Sequence, residues 1–259
     1  MPPWLVILLM GIYVLITLGA APVLARPALL SRRPQLVLWL WMLALALATV
    51  SLAVALGGLI QRSLRHETGT IAGAVWLGPL VDTLLGWGAI AALGLVLFRL
   101  GVAVSELRHR LFVTRRQLAY LQRSSERTSF GDINAWRVRS TTAMVGSDAR
   151  SRRIFFTTAL EAQLTEDQLV AALTHERAHI NGHHAFLRHV AALASATAPA
   201  FTSSNEMARA TRIATELAAD DAAARQYGAA TVADALAASF PNESFIAERV
   251  ERLRQRESA

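Results

Sequence analysis

The chain has 259 residues, 53% of them hydrophobic, with a mean hydropathy of +0.35 and a formal net charge of +7 at pH 7. It has no cysteine, which excludes disulfides and thiolate metal sites and leaves imidazole and carboxylate as the only strong metal ligands. Every basic residue is arginine and much of the excess flanks apolar segments. That placement, with no zinc finger or other nucleic-acid motif, excludes direct nucleic-acid binding as the reason for the charge and fits anionic lipid.

Residues 1–105 are predicted to form a transmembrane region with spans at about 4–24, 36–60 and 80–104. Each is long enough to cross about 30 Å of hydrocarbon. The first span is long, lacks a basic leader and is followed by two more spans, so it is expected to be retained. Asp82 and Arg99 lie near the ends of the third span, and Asp82 is expected at the interface, where the cost of a carboxylate is tolerable. Arg26, Arg32 and Arg33 mark the first loop. Arg62 and Arg65, offset by Glu67, mark the second, and Arg108, Arg110, Arg115 and Arg116 follow the third span. The excess predicts a multi-pass protein of the cell membrane, with the N-terminus outside and everything after residue 105 cytoplasmic.

Residues 106–130 are expected to be a juxtamembrane connector. Leu107, Leu111, Leu118 and Leu121 recur at helical spacing among arginines, as in an amphipathic surface helix, and 124–131 has the composition of a loop. Residues 131–240 are the expected cytoplasmic domain. It opens with alternation over 136–140, predicting a strand, and a second strand over 152–158. Gly146–Ser151 is the expected turn between Ala143–Val145 and that second strand.

Thr165-Glu166-Asp167-Gln168 has the form of a capping box, and Asn181-Gly182 that of a helix stop, which predicts a helix over 166–181. Within it stands His175-Glu176-Arg177-Ala178-His179, an HExxH motif. Positions i and i+4 share one helical face, so both imidazoles can address one ion while Glu176 lies beside them as a general base. A third ligand is needed. His183 and His184 are weak candidates, since a His at 185 would complete HExxHxxGxxH and that residue is Ala185; otherwise they are expected as polar residues near a membrane surface. Glu216 is the stronger candidate. It lies on the Ala-rich, Gly- and Pro-free stretch 205–226, which is predicted helical, and Asp220 follows one turn later, able to accept the far N–H of a ligand His. Arg225 and Tyr227 are nearby candidates for a transition-state donor. Between the two helices, 185–201 is apolar but short for a span and is expected to lie on or dip into the cytoplasmic leaflet. Residues 241–259, mixing Glu and Arg, are expected as a solvated C-terminal helical tail.

HExxH followed by Glu216-Leu217-Ala218-Ala219-Asp220 on a later helix resembles the integral-membrane gluzincins: the BlaR/MecR antirepressor proteases and their CAAX-protease and HtpX-like relatives. Ala143–Gly146, Arg153–Leu160 and Leu164–Leu169 resemble the strand–strand–helix lead-in of those enzymes. The resemblance covers about residues 130–228 and the spans in outline, and it is to the short BlaR-like proteins rather than the full-length beta-lactam sensors. It implies an α-helical membrane protein with an α+β, zincin-like metalloprotease domain: three transmembrane helices, a small β-sheet, the HExxH helix and a second ligand helix. It further implies one zinc per chain on His175, His179 and Glu216, with Glu176 as catalytic base. An edge strand that pairs with extended substrate backbone belongs to the same picture. The implied activity is a regulatory endopeptidase cutting a winged-helix repressor or itself. The alternatives are HtpX-like quality control of membrane proteins and a non-catalytic zinc-binding scaffold. The full sensors carry a fourth span and a penicillin-binding domain, for which Ala259 leaves no room, so the resemblance does not carry a beta-lactam signal over and the input is left open.

Overall fold

The computed structural model describes residues 2–66, 77–123, 125–198, 202–239 and 244–257. Residues 67–76 of the second loop expected from the sequence, Glu67 among them, lie outside these residues, as do the side chains of Leu118 and Leu121 in the connector. The chain runs α1 (Pro3–Leu24), α2 (Pro27–Arg32), α3 (Pro34–His66), α4 (Leu77–Arg123), β1 (Ser125–Phe130), β2 (Ile133–Val138), β3 (Val145–Asp148), β4 (Arg153–Thr157), α5 (Thr158–Gln163), α6 (Glu166–Asn181), α7 (His184–Thr197), α8 (Thr202–Tyr227), α9 (Ala229–Ser239) and α10 (Ser244–Glu257).

Two compact units emerge from the packing. One comprises residues 1–26, 39–107 and 190–210. Three helices are long and apolar enough to cross a membrane: Pro3–Leu24, Pro34–Leu64 and Leu80–Thr114. Their large side chains stand outward, with Ile7, Leu15 and Phe98 each about seven-tenths exposed, an arrangement that water would penalise and hydrocarbon would not. Inside this unit α3 and α4 approach closely. A Cβ on Gly86 would sit 2.2 Å from Ser63 Cβ, so only glycine permits the contact. One turn before Gly86, Asp82 receives both oxygens' worth of hydrogen bonds from Arg62 Nη2, at 3.0 and 2.9 Å. The acid at the end of the third span is therefore neutralised by an arginine at the end of the second.

The other unit comprises residues 27–38, 108–189 and 211–259. Its sheet has the order β1-β2-β4-β3. β1 and β2 form an antiparallel hairpin with Phe130 opposite Ile133, closed by Gly131 at φ +57°, the left-handed turn geometry that favours glycine. β2 and β4 are parallel, and β3 pairs antiparallel with β4. Under the sheet, Ile133, Ile154, Phe156, Leu160, Leu169 and Leu173 bury a common core with α5 and α6.

Several elements differ from the sequence expectation. Residues 125–130 are a strand, not a loop. β1 lies at the sheet edge and is half exposed, so its residues lack the apolar alternation that marks a half-buried strand. Gly146–Asp148 belong to β3, and the turn is confined to the residues after them. The juxtamembrane helix is not separate from the third span: 106–123 continues α4, because nothing from 105 to 123 is Gly or Pro. The C-terminal stretch is helical but not solvated. Ile246, Val250 and Leu253 are buried against Ala171 of α6, Ala223 of α8 and Val232 and Ala233 of α9.

Candidate metal centre

α6 begins as its sequence dictates. Thr165 Oγ1 accepts from the Gln168 backbone N–H at 3.4 Å, and Gln168 Oε1 accepts from the Thr165 N–H at 3.0 Å. Two of the helix's orphan donors are thus satisfied. The helix stops at Gly182, whose N–H donates to Ala178 O at 2.8 Å. Leu169, Leu173 and Ile180 turn to the core, and His175, Glu176 and His179 are left for the cleft side.

α8 supplies the third corner. His175 Nε2 lies 3.1 Å from His179 Nε2 and 3.4 Å from Glu216 Oε2, and His179 Nε2 lies 3.5 Å from Glu216 Oε1. Donor atoms bound tetrahedrally to zinc at about 2.0–2.1 Å would stand about 3.3 Å apart. The triangle therefore has the size that a small divalent ion needs. Among the described residues this is the one group of three such side chains with ligand atoms so close together.

The histidines are held from behind. His175 Nδ1 lies 3.0 Å from Asp220 Oδ1, the carboxylate–histidine arrangement that fixes ring orientation. His179 Nδ1 lies 2.8 Å from His184 Nδ1. His184 is 3% exposed, so it is neither a surface residue nor a corner of the triangle, and it supports His179 as Asp220 supports His175. His183 instead takes a left-handed φ of +53° and is exposed. Its conformation turns the chain from α6 into α7. Gly182 makes room for the His184 ring: a Cβ there would lie 2.3 Å from His184 Nε2.

The acids are locked by arginines. Arg249 on α10 donates from Nε to Asp220 Oδ2 at 2.8 Å and from Nη2 to Asp220 Oδ1 at 2.6 Å. Its Nη1 lies 3.2 Å from Glu216 Oε2. The Asp220 side chain is 0% and that of Arg249 5% exposed. Arg188 on α7 donates to Thr215 Oγ1 at 2.8 Å and to Glu216 Oε1. Arg252 and Arg256, further along α10, both meet Asp221.

These neighbours set the protonation states. Burial opposes charge on His175, but the carboxylates of Asp220 and Glu216 outweigh it and raise the ring to about 9. Burial likewise works against ionised Glu216. The hydrogen bonds from His175 and His179 and the Arg249 charge still hold it far below the usual carboxylate range. Asp220 is lowered in the same way, against burial, chiefly by Arg249 and His175. His184 is pushed down to about 3 by burial, then by His179 and Arg188, and so stays neutral.

Glu176 shares the cleft. Ser147 on β3 donates from Oγ to Glu176 Oε2 at 2.6 Å, a short charge-assisted bond that fixes the carboxylate. The cleft encloses about 400 Å³, with His175, Glu176, Arg188, Arg212, Glu216 and Arg249 at its charged end. Val232, Leu236, Phe245 and Ile246 form an apolar wall. Arg225 and Tyr227 do not line it. Arg225 faces a separate pocket on another side of α6, and Tyr227 packs into the cluster between α9 and α10. Adjacency in sequence misleads here: at about 100° per residue Arg225 comes round to the face of α8 opposite Glu216, and Tyr227 regains the Glu216 face only about 16 Å further along the axis.

Ser147, Arg188 and Arg249 are site residues that the sequence did not single out, and His184 was weighed there only as a metal ligand, not as the support of His179. One signal was available for Arg249: Ile246, Val250 and Leu253 repeat at helical spacing and mark a buried stripe beside it. For the other three the contact is made across elements and leaves no local pattern.

No curated protein and no solved structure matches the chain. Residues 132–244, which contain the whole triangle together with Glu176 and Asp220, match the model of peptidase family M48, and this match supports a metallopeptidase of that family.

Proposed function

We propose that the chain is a membrane-anchored, zinc-dependent endopeptidase with its cleft on the cytoplasmic side. The observation that carries this reading is the triangle of His175, His179 and Glu216 at zinc-sized spacing, with the carboxylate of Glu176 in the same cleft. The donor set suits zinc: two imidazoles and one carboxylate, each histidine backed by a second group, with a position left for water. A zinc ion held there would supply Lewis acidity, acidifying a water and polarising the scissile carbonyl.

The chain's own residues do the rest. Glu176 takes the proton of the attacking water and passes it to the leaving amine. Ser147 keeps Oε2 of Glu176 in place and leaves Oε1 for that proton. Asp220 and His184 keep the two rings oriented, and Arg188 and Arg249 hold the Glu216 carboxylate. β3 is an edge strand in the sheet order, and an extended substrate can add to it by backbone hydrogen bonding. The apolar wall of α9 and α10 accepts a substrate side chain. The BlaR-like lead-in supports a regulatory role, cleavage of a cytoplasmic repressor or of the chain itself. The arginine distribution around the spans supports the topology.

Metal analysis of the detergent-purified protein, followed by cleavage of a candidate substrate, tests the reading. The expected result is about one zinc per chain, lost in Glu216→Ala and in His179→Ala. Glu176→Gln should keep its zinc and lose proteolysis by roughly 10²–10⁴-fold. Full cellular function of Glu176→Gln would point instead to a zinc-stabilised scaffold, and absence of zinc from all variants would remove the metallopeptidase reading.

A further inference from the structure

The metal-centre cleft holds one charge that the mechanism does not use. Three arginines and two carboxylates line it. Arg188 donates to Thr215 and Glu216, and Arg249 donates to Asp220 with its Nη1 beside Glu216. Glu176 is held by Ser147, and Glu216 by those two arginines and the two rings. Arg212 is left over. Its backbone carbonyl accepts from Thr215 Oγ1 at 2.8 Å, but its guanidinium has no hydrogen bond or ion pair among the described residues, and the residue is exposed.

Arg212 precedes Glu216 by four residues on α8. The two therefore share one face of the helix, about 6 Å apart along its axis. An extended peptide advances about 3.3 Å per residue. A substrate side chain that meets Arg212 thus belongs to a residue about two positions from the bond held at the metal ligands. An arginine on an open solvent face needs no partner. In a cleft whose other charges pair with one another, the remaining guanidinium sets the sign of the field that an entering chain meets. Its planar fork of donors suits a carboxylate. The same cleft has the apolar wall of Val232, Leu236, Phe245 and Ile246, which favours a hydrocarbon side chain and penalises a charged one.

We propose that Arg212 is a specificity-determining residue and that the substrates are segments both acidic and apolar. An Asp or Glu within about two residues of the scissile bond pairs with Arg212, and a large apolar residue lies against the wall of α9 and α10. This rests on the endopeptidase reading above and adds to it the class of sequence that is cut.

The test uses the full-length, zinc-loaded protein in detergent and quenched-fluorescent peptides amidated at the C-terminus, so that a side chain supplies the only carboxylate. Each peptide carries one leucine in an Ala/Gly background, with Glu, Gln or Arg placed one, two or three residues to either side. kcat/KM is read for each, and mass spectrometry locates the cleaved bond. The expected result is a preference of roughly tenfold for Glu over Gln, at positions within about two residues of that bond. Arg212→Ala should bring the ratio close to one, and Arg212→Glu should turn it in favour of the Arg peptides. Arg139→Ala removes an exposed arginine outside the cleft lining and should keep the wild-type ratio. It separates pairing at Arg212 from the general attraction of a chain of net charge +7 for acidic peptides. Fluorescence anisotropy of fluorescein-labelled versions on zinc-loaded Glu176→Gln protein reads the same preference without turnover. Selective binding that depends on Arg212, with no cleavage by the wild type, would remove the peptidase reading and keep the pairing. Equal handling of Glu and Gln peptides in both assays, or a preference that Arg212→Ala retains or that Arg139→Ala loses equally, overturns the proposal.

Discussion

α6 and α10 meet at the same centre but reach it by different physical routes. In α6 the cap, the metal-binding spacing and the stop are all local: Thr165 to Gln168, His175 to His179, and Gly182 each act within about one turn. In α10 the contribution to the site is entirely long-range. Arg249 contacts residues about thirty positions earlier in the chain, and its helix is otherwise a mixture of Glu and Arg that composition alone assigns to water. The contrast teaches that charge content does not distinguish a solvated helix from one whose charges complete a buried network; the apolar positions between the charges do.

The sharpest way to break this comparison is Arg249→Ala. It leaves the fully buried carboxylate of Asp220 without its bidentate partner, which should cost about 3–5 kcal/mol. The thermal midpoint of the detergent-solubilised protein should fall by on the order of 10 °C. A negligible fall would mean that α10 is dispensable, as a solvated tail would be.

Next in size is the pH response of the metal-free protein. His175 is raised from 6.5 to about 9, so its protonated form favours the folded state. That contribution, of order 1–3 kcal/mol, is fully present below pH 6.5 and is lost as pH rises through about 9. Zinc must displace the same proton, so its apparent affinity should climb by up to tenfold per pH unit until about pH 9. Unfolding at several pH values and chelator competition read the two effects, and a flat zinc affinity across this window would exclude His175 as a ligand.

His184→Ala removes the support of His179 without touching the triangle. Zinc affinity should drop by roughly 10–100-fold, with one zinc per chain still bound at saturation. Unchanged affinity would show that the contact is incidental. Smallest of all is Arg139→Ala. Arg139 pairs with Glu126 at 3.3 Å, but the two side chains are 84% and 61% exposed, so stability should change by less than about 1 kcal/mol. Arg139 and Arg249 carry the same guanidinium chemistry, and only burial separates the expected outcomes.

Much of the molecule was legible in the chain. The three apolar segments, the helix over 166–181, the Ala-rich helix bearing Glu216 and Asp220, and the strand over Arg153–Thr157 all follow from periodicity, capping and composition, because each is set by neighbours within a few residues. β1 was not legible. An edge strand half open to solvent needs no apolar alternation, and its place is decided by the ladder it shares with β2. The continuity of α4 beyond residue 105 was legible in retrospect, since no helix breaker interrupts it.

For this protein the sequence alone determined which atoms can bind a metal and on which helical faces they lie, because i, i+4 spacing is a property of the helix itself. Only the tertiary structure decided that the His175, His179 and Glu216 donors stand 3.1–3.5 Å apart, that Ser147 holds the base, that His184 and Asp220 back the two rings, and that Arg188 and Arg249 lock the acids. Those contacts join residues from β3, α6, α7, α8 and α10. Packing alone brings such elements together, and no local propensity encodes the separation of two side chains on different helices.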